Sequence, residues 1–314
     1  MKSNDTLHIG IDISKDSLSV SIDAATLELA NSPSGMKKLL AAIAASGRPC
    51  HVCCEATGSY GELLLRTLLG ADIPVSQVNP VFIKDYIRSF GRIAKTDRID
   101  ASYIARYAAD RMPAPLPPST LGLLELKETH RQLRHLVRLR ANLMASIDKY
   151  LDSRSKDAIR GHIAYFDGEI RKLQSRLLAE VKRDPELRAK YKALTAIHSV
   201  GPRTAITLLL DMPELGTLNR CQAAALAGLA PVHNDSGNFK GQRHIRRGRK
   251  APRCVLYMAA LTASFKNPVL MPFYQGLRAR GKHHQEALIA VARKLIIHIN
   301  TTLKILNSPE PEKT

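Results

Sequence analysis

Four carboxylates stand where chemistry could be done. Asp12 follows the apolar run of GIDISKDS, Glu55 closes CHVCCE, and Asp97 and Asp100 lie three apart in KTDRIDA. A three-residue step places two side chains on one helix face. Two strand-end acids and such a face can converge on one point. Divalent Mg2+ or Mn2+ takes oxygen ligands in that arrangement and keeps positions for phosphate oxygens. Two ions about 4 Å apart can clamp the attacking and leaving oxygens of a phosphodiester. Each acid alone has a plainer account. A strand-end Asp often forms a turn, and an Asp at a helix start is favoured by the helix dipole. The four together, in this order and in a strongly basic chain, point to a metal-binding set.

A second constellation lies near the C-terminus. Residues 238–253, NFKGQRHIRRGRKAPR, carry seven Lys or Arg and no acid: Lys240, Arg243, Arg246, Arg247, Arg249, Lys250 and Arg253. Arginine grips phosphate with two parallel donors, so this run predicts phosphate contact rather than a solvated loop. Just upstream, HNDSG contains Ser236. By itself that serine reads as a turn residue. Beside an arginine cluster it has what a phosphoryl-attacking hydroxyl needs, cations to offset charge as it develops. It also needs a base, for which a carboxylate or the metal site is the natural source. Further upstream, IHSVGPRTAITLL has two readings. Gly201 and Pro202 form a tight helix hairpin whose backbone N–H groups, with Arg203, bind phosphate without reading sequence, or the segment is a helix–turn–helix used for packing.

The composition agrees with a polyanion partner. There are 47 Lys and Arg against 28 Asp and Glu, a net charge of +19 that nucleic acid would neutralise. Apolar residues make up 45%, enough for a core, and aromatics only 5% with no Trp, which suggests Leu-, Ala- and Ile-rich helices. No apolar run approaches the roughly 18 residues of a spanning helix, and MKSNDTLHIGID lacks a signal-peptide core. Five Cys show no disulfide framework, so the expected setting is a reducing cytoplasm. Cys50, Cys53 and Cys54 lack the second ligand pair a zinc site needs.

These residues need a scaffold. LHIGIDI, LSVSIDA and TLELANS alternate as a three-strand meander. A helix at MKKLLAAIAAS follows, with Ser34 as its N-cap. CHVCCEATG is a buried strand, GELLLRTLLGA a helix, PVSQVNP a strand and VFIKDYIRSF a helix. TDRIDASYIARYAADR is another helix, capped by Thr96. The pattern predicts a mixed sheet of ribonuclease-H type over residues 1–111. MPAPLPP, residues 112–118, holds four prolines and reads as a linker. Residues 119–192 carry a narrow apolar seam from Leu126 to Val181, which predicts a coiled-coil hairpin with a first arm of roughly 50 Å. Residues 193–307 form a mainly helical C-terminal domain, irregular over 231–253, and 308–314 a tail. The fold class is therefore multi-domain, α/β followed by α.

GIDISKD, CEATGSY, VNP with the following IK, GRIAKTDRIDA, IHSVGPRTA, AALAGLAP, DSG with IRRGR, and LYMAAL occur in this order. Together they resemble the DEDD transposases of the bacterial "one-ten" insertion-sequence group, relatives of pilin-gene invertases, along nearly the whole chain. The resemblance implies a RuvC-like N-terminal domain, Asp12, Glu55, Asp97 and Asp100 as metal-binding acids, and Ser236 as a nucleophile that forms a transient phosphoserine link to DNA. It also implies a guide (bridge) RNA pairing with donor and target DNA, and a homo-oligomer, dimer or tetramer, in which acidic and serine domains of different protomers combine. The competing functions are a RuvC-like junction resolvase, which needs the acids but not Ser236, and a non-catalytic nucleic-acid-binding scaffold.

Overall fold

The computed structural model of the chain describes residues 6–23, 25–91, 97–232, 244–245 and 248–308, and for residues 97–99, 232 and 244 the backbone only. The chain divides into two compact units, Met1–Glu125 and Leu126–Thr314.

The first unit is built on a mixed five-stranded sheet. Strands β1 (Leu7–Ile13), β2 (Ser17–Ile22), β3 (Ala25–Ala30), β4 (Cys50–Glu55) and β5 (Val75–Val78) lie in the order β3-β2-β1-β4-β5. The meander β1–β3 is antiparallel, and β4 and β5 add in parallel. Alternation sorts the strands' residues onto two faces. Leu7, Ile9, Ile11 and Ile13, with Leu18, Val20, Val52 and Cys54, form one apolar face. Helices α1 (Pro33–Ala45) and α2 (Glu62–Gly70) cover it through Met36, Leu39, Leu64 and Leu68. The other face takes α3 (Pro80–Arg88) and α4 (Asp97–Arg111), with Ile83, Ile104 and Ala108 packed on Cys53 and Val78.

On that second face β1 presents a glycine. A β-carbon at Gly10 would lie 2.1 Å from the Ala101 carbonyl oxygen and 2.3 Å from the Ala105 nitrogen. The missing side chain is what lets the α4 backbone lie directly on the strand.

Two local details differ from the sequence reading. The α1 cap is Ser32, whose hydroxyl accepts from the Gly35 N–H at 3.3 Å, and not Ser34. Pro33 decides this, since a proline with fixed φ and no N–H belongs at the first helical position, which puts the cap before it. The proline-rich stretch lies outside helix and strand, yet its backbone is engaged. Leu116 donates its N–H to Val75 O at 2.8 Å, and Ser76 Oγ donates to Pro113 O at 2.8 Å. Thr96 lies outside the described residues.

The unit boundary falls within α5 (Thr120–Ser146), which at 27 residues spans about 40 Å. After a short 3-10 turn, α6 (Ser153–Arg183) returns. Asp152 caps it by accepting from the Ser155 N–H, and Arg140 of α5 pairs with Asp167 of α6. The seam is fully buried only in places: Leu133, Ile170, Leu177 and Val181 are covered, whereas Leu136, Leu143, Phe166 and Leu173 are half-buried. Then come α7 (Pro185–Thr195), α8 (Pro202–Asp211), α9 (Arg220–Leu226), the two-residue strands β6 (Pro231–Val232) and β7 (His244–Ile245), α10 (Lys250–Lys266), α11 (Leu270–Ala279) and α12 (His284–Asn307). Leu208, Leu256, Val291, Leu295 and Ile299 centre the second core, which Val181 and Leu194 join. No single helix among the described residues is long and apolar enough to cross a membrane.

Candidate active site

The acids gather at one end of the first sheet. The parallel register pairs Ile11 with Cys54, so Asp12 and Glu55 are the next residues along β1 and β4, on strands about 4.8 Å apart. Asp12 lies two residues beyond Gly10 and Glu55 two beyond Cys53, so both share the face on which α4 packs. Both are half-buried. Asp12 Oδ1 accepts the Ile13 N–H at 3.0 Å. Asp100 sits in the first turn of α4, immediately before the Ala101 carbonyl that meets Gly10, and is 8% exposed. Asp97 begins the helix, and its side chain lies outside the described residues. Among the described residues no three His, Cys, Asp or Glu side chains already stand as a metal-holding group.

The donor chemistry on this face suits a hard cation. Burial, and then the charge of Glu55, pushes the Cys53 thiol up to about 12. On the opposite face, burial, with Cys53 and Glu55 behind it, raises Cys54 as well. Without a bound metal both thiols are protonated at neutral pH. His51 is held below the usual imidazole range by burial and then by His8, and its Nε2 lies 2.7 Å from Ser76 Oγ. That leaves carboxylate oxygens as the charged donors, which is what magnesium or manganese takes.

In the second unit, Ser236, Lys240, Arg243, Arg246 and Arg247 lie outside the described residues. The segment's two ends are described. β6 and β7 pair antiparallel, Pro231 opposite Ile245. Beyond β7, Gly248 adopts φ +69° against Gly228, where a β-carbon would lie 2.3 Å from the Gly228 nitrogen. Arg249 follows and is held within the protein. Its guanidinium meets both Glu214 oxygens at 2.6 and 2.7 Å and donates to Asp211 O at 2.7 Å, and its N–H donates to Leu226 O. Sequence reading placed Arg249 among the phosphate-contacting cations. In the structure it also pairs with Glu214 at the end of the segment, and a partner 35 residues away leaves no local signal for that contact. Lys250 and Arg253 lie in the first turn of α10, so the irregular stretch ends at Arg249 rather than at 253, with Pro252 tolerated in the first turn.

Gly201 caps α8 with extended backbone, and Pro202 occupies its first position. The left-handed residue of this connection is Ser199, at φ +76°. Arg203 is exposed, while Thr204 to Leu210 are all buried, so α8 is a core helix whose N-terminus faces outward.

Sequence reading did not single out a buried polar cluster at the base of α5. His130 is 3% exposed, with Nε2 3.3 Å from Thr207 Oγ1 and Nδ1 3.9 Å from Asp211. Burial lowers it to about 4, against the pull of Asp211. It is therefore neutral at pH 7, and the charge partner of Asp211 is Arg134, at 2.9 Å.

Two family models match the chain. A DEDD transposase family of the IS110 type matches residues 9–155, and the transposase family IS116/IS110/IS902 matches residues 191–275. A pilin gene-inverting protein of Moraxella bovis is 30% identical over 306 residues, 92% of this chain and 93% of that protein. The chain belongs to the IS110 transposase family. This IS110-family transposase is also 31% identical to the pilin gene-inverting protein of Moraxella lacunata, over 78% of this chain and 77% of that one. An IS110 insertion-element protein of Streptomyces coelicolor is 30% identical over 54% and 46% of the two chains. Membership of this family implies an enzyme that cleaves and rejoins DNA.

Proposed function

We propose that this transposase exchanges DNA strands through a phosphoserine intermediate at Ser236, assisted by a divalent cation held by Asp12, Glu55, Asp97 and Asp100. The observation that carries the acidic half is the placement of Asp12 and Glu55 at adjacent strand ends, on the face where α4 brings Asp100. The strand order supports a ribonuclease-H-like, RuvC-like reading of the first unit. Mg2+ or Mn2+ bound there would polarise a phosphoryl oxygen and offset developing charge.

The chain's own residues supply the rest. Ser236 Oγ bonds to phosphorus as the bond from phosphorus to the DNA oxygen breaks. The hydroxyl proton passes to a carboxylate base, and the DNA oxygen leaves as a hydroxyl after taking a proton. Attack by a DNA hydroxyl on the phosphoserine reverses these steps and frees the serine. Lys240, Arg243, Arg246, Arg247, Lys250 and Arg253 hold the phosphates, and the outward N-terminus of α8 with Gly201 and Arg203 adds a sequence-independent contact. The half-buried seam of α5 and α6 supports pairing of protomers into a dimer or tetramer. The surplus positive charge supports a guide RNA beside donor and target DNA.

The test is to stop the reaction under denaturing conditions and map the DNA-linked peptide by mass spectrometry. The link is expected at Ser236 and is absent in Ser236→Ala. A link elsewhere would make another residue the nucleophile, and hydrolysed ends with no link would replace the recombinase reading with that of a resolvase.

A further inference from the structure

Aromatic residues of the first unit cluster on two of its helices. The chain has only 15 Phe and Tyr, yet Phe82, Tyr86, Phe90, Tyr103 and Tyr107 fall within 26 residues on α3, α4 and their connection. Tyr86 meets Phe90 and Tyr107 edge-to-face, with ring centres 5.1 and 5.3 Å apart, and donates to Asp110. Arg106 lies over Phe90 at 4.4 Å. These contacts fix α3 against α4 and leave Phe82 out of the stack, 58% exposed. Phe82 borders an open cleft of about 330 Å³, lined also by Asp85, Tyr86, Ser89, Tyr107 and Arg111.

We propose that this cleft seats one unpaired base of single-stranded DNA, stacked on Phe82, with Arg111 on an adjoining phosphate. An exposed ring beside a cation is how proteins hold unstacked bases without reading sequence. Arg111, at the end of α4, supplies the cation in the lining, and Asp85 of the same lining lies 3.6 Å from Arg88. Asp85 and Ser89 present oxygens to the polar edge of a base. DNA is the occupant because it is what a transposase handles. The cleft also shares a helix with the acids. Tyr107 and Arg111 follow Asp100 by seven and eleven residues, about 10 and 16 Å along the axis, a span of a few nucleotides. As a station for the strand being cut, the cleft rests on the reading of the acids given above.

The absence of Trp supplies a local reporter. Phe82→Trp creates a single tryptophan in the full chain, whose fluorescence a stacked base quenches. Titration with a short mixed-sequence DNA single strand is expected to quench it saturably, and the same sequence as duplex or as RNA is expected to quench it far less. Phe82→Ala should weaken binding of the single strand about tenfold, whereas Phe265→Ala, at a ring also exposed but in the second unit, should not change it. No quenching, or equal quenching by duplex or RNA, overturns the proposal even if the basic segment still binds the probe. In the Phe82→Trp background, Asp12→Asn should keep the quenching and lose cleavage. Quenching with cleavage intact would remove the reading of the acids and leave the cleft. Lost cleavage without quenching would do the reverse.

Discussion

Gly10 on β1 and Ala101 on α4 touch so closely that a β-carbon on the glycine would fall 2.1 Å from the alanine carbonyl oxygen. The next residue toward the strand end on that face is Asp12, and the residue before Ala101 is Asp100. Gly10→Ala should therefore push α4 off the sheet and part the two acids. The expected loss is about 1–3 kcal/mol in chemical denaturation and most of the recombination activity. A stable and fully active alanine variant would show that this contact does not set the site.

Neutralising one acid tests the metal site without disturbing packing. Asp12→Asn and Asp100→Asn should each lower strand cleavage by at least about 100-fold while melting and DNA binding stay near those of the parent. A chelator should stop the parent, and added Mg2+ or Mn2+ should restore it. Full activity in chelator would remove the cation from the reaction.

The Arg249–Glu214 pair should hold the root of the segment that carries Ser236. Burial by itself would raise the Glu214 carboxyl, but the hydrogen bonds and charge of Arg249 outweigh it and hold the group below its usual range. The stability it confers is thus present above the ordinary carboxylate value of 4.5 and lost as pH falls through the lower folded value. The pair is more than a third exposed, so Arg249→Ala should cost only about 1 kcal/mol. Its effect on the cleavage rate should be larger than its effect on DNA affinity. Arg249→Lys should recover part of that rate, and a uniform loss of affinity instead would make Arg249 an ordinary phosphate contact.

His130 gives the second unit a separate pH response. Its folded value, about 4, lies below the free value of 6.5. The unfolded chain therefore takes up the proton first. Stability should fall as pH drops below 6.5 and level off near 4, by up to roughly 3 kcal/mol. Denaturation curves at pH 7 and pH 5 measure it. His130→Gln should flatten that difference, and an unchanged slope would show that the imidazole is already charged.

Subunit pairing through the hairpin is best tested at its half-buried positions. Leu133 is 7% exposed within one chain, so a charge there would unfold rather than dissociate. Leu143→Glu with Leu173→Glu should give smaller, folded and inactive particles on sedimentation. An unchanged size would make the seam purely intramolecular.

Much of the first unit was legible because its strands are short and alternate cleanly. β1 with Ile9 and Ile11 inward and β4 ending at Glu55 follow from period and turn signals alone. Asp12 and Glu55 stood out for the same reason, as polar residues at the ends of apolar strands, and Asp97 and Asp100 stood out by their three-residue step. Gly10 also left a trace, since a glycine inside a strand marks a close backbone approach, but nothing local names α4 as the neighbour. Pro33 should have moved the helix cap to Ser32. The pairing of Arg249 with Glu214 was not legible, because charge density in a run says nothing about a carboxylate on a distant turn. The burial of His130 depends on α8 packing beside α5, which no local pattern records.

The internal pairing of Arg249 also bears on the ion atmosphere of DNA. A cation that already neutralises Glu214 displaces no condensed counterion when it nears a duplex. Seven cations less Arg249 leave at most six in residues 238–253 to do so. In a plot of log affinity against log salt, each phosphate neutralised contributes a slope of about −0.9. Removing Lys240 should make that line shallower by about one such step, whereas removing Arg249 should leave its slope alone and move only the geometry of what the segment presents.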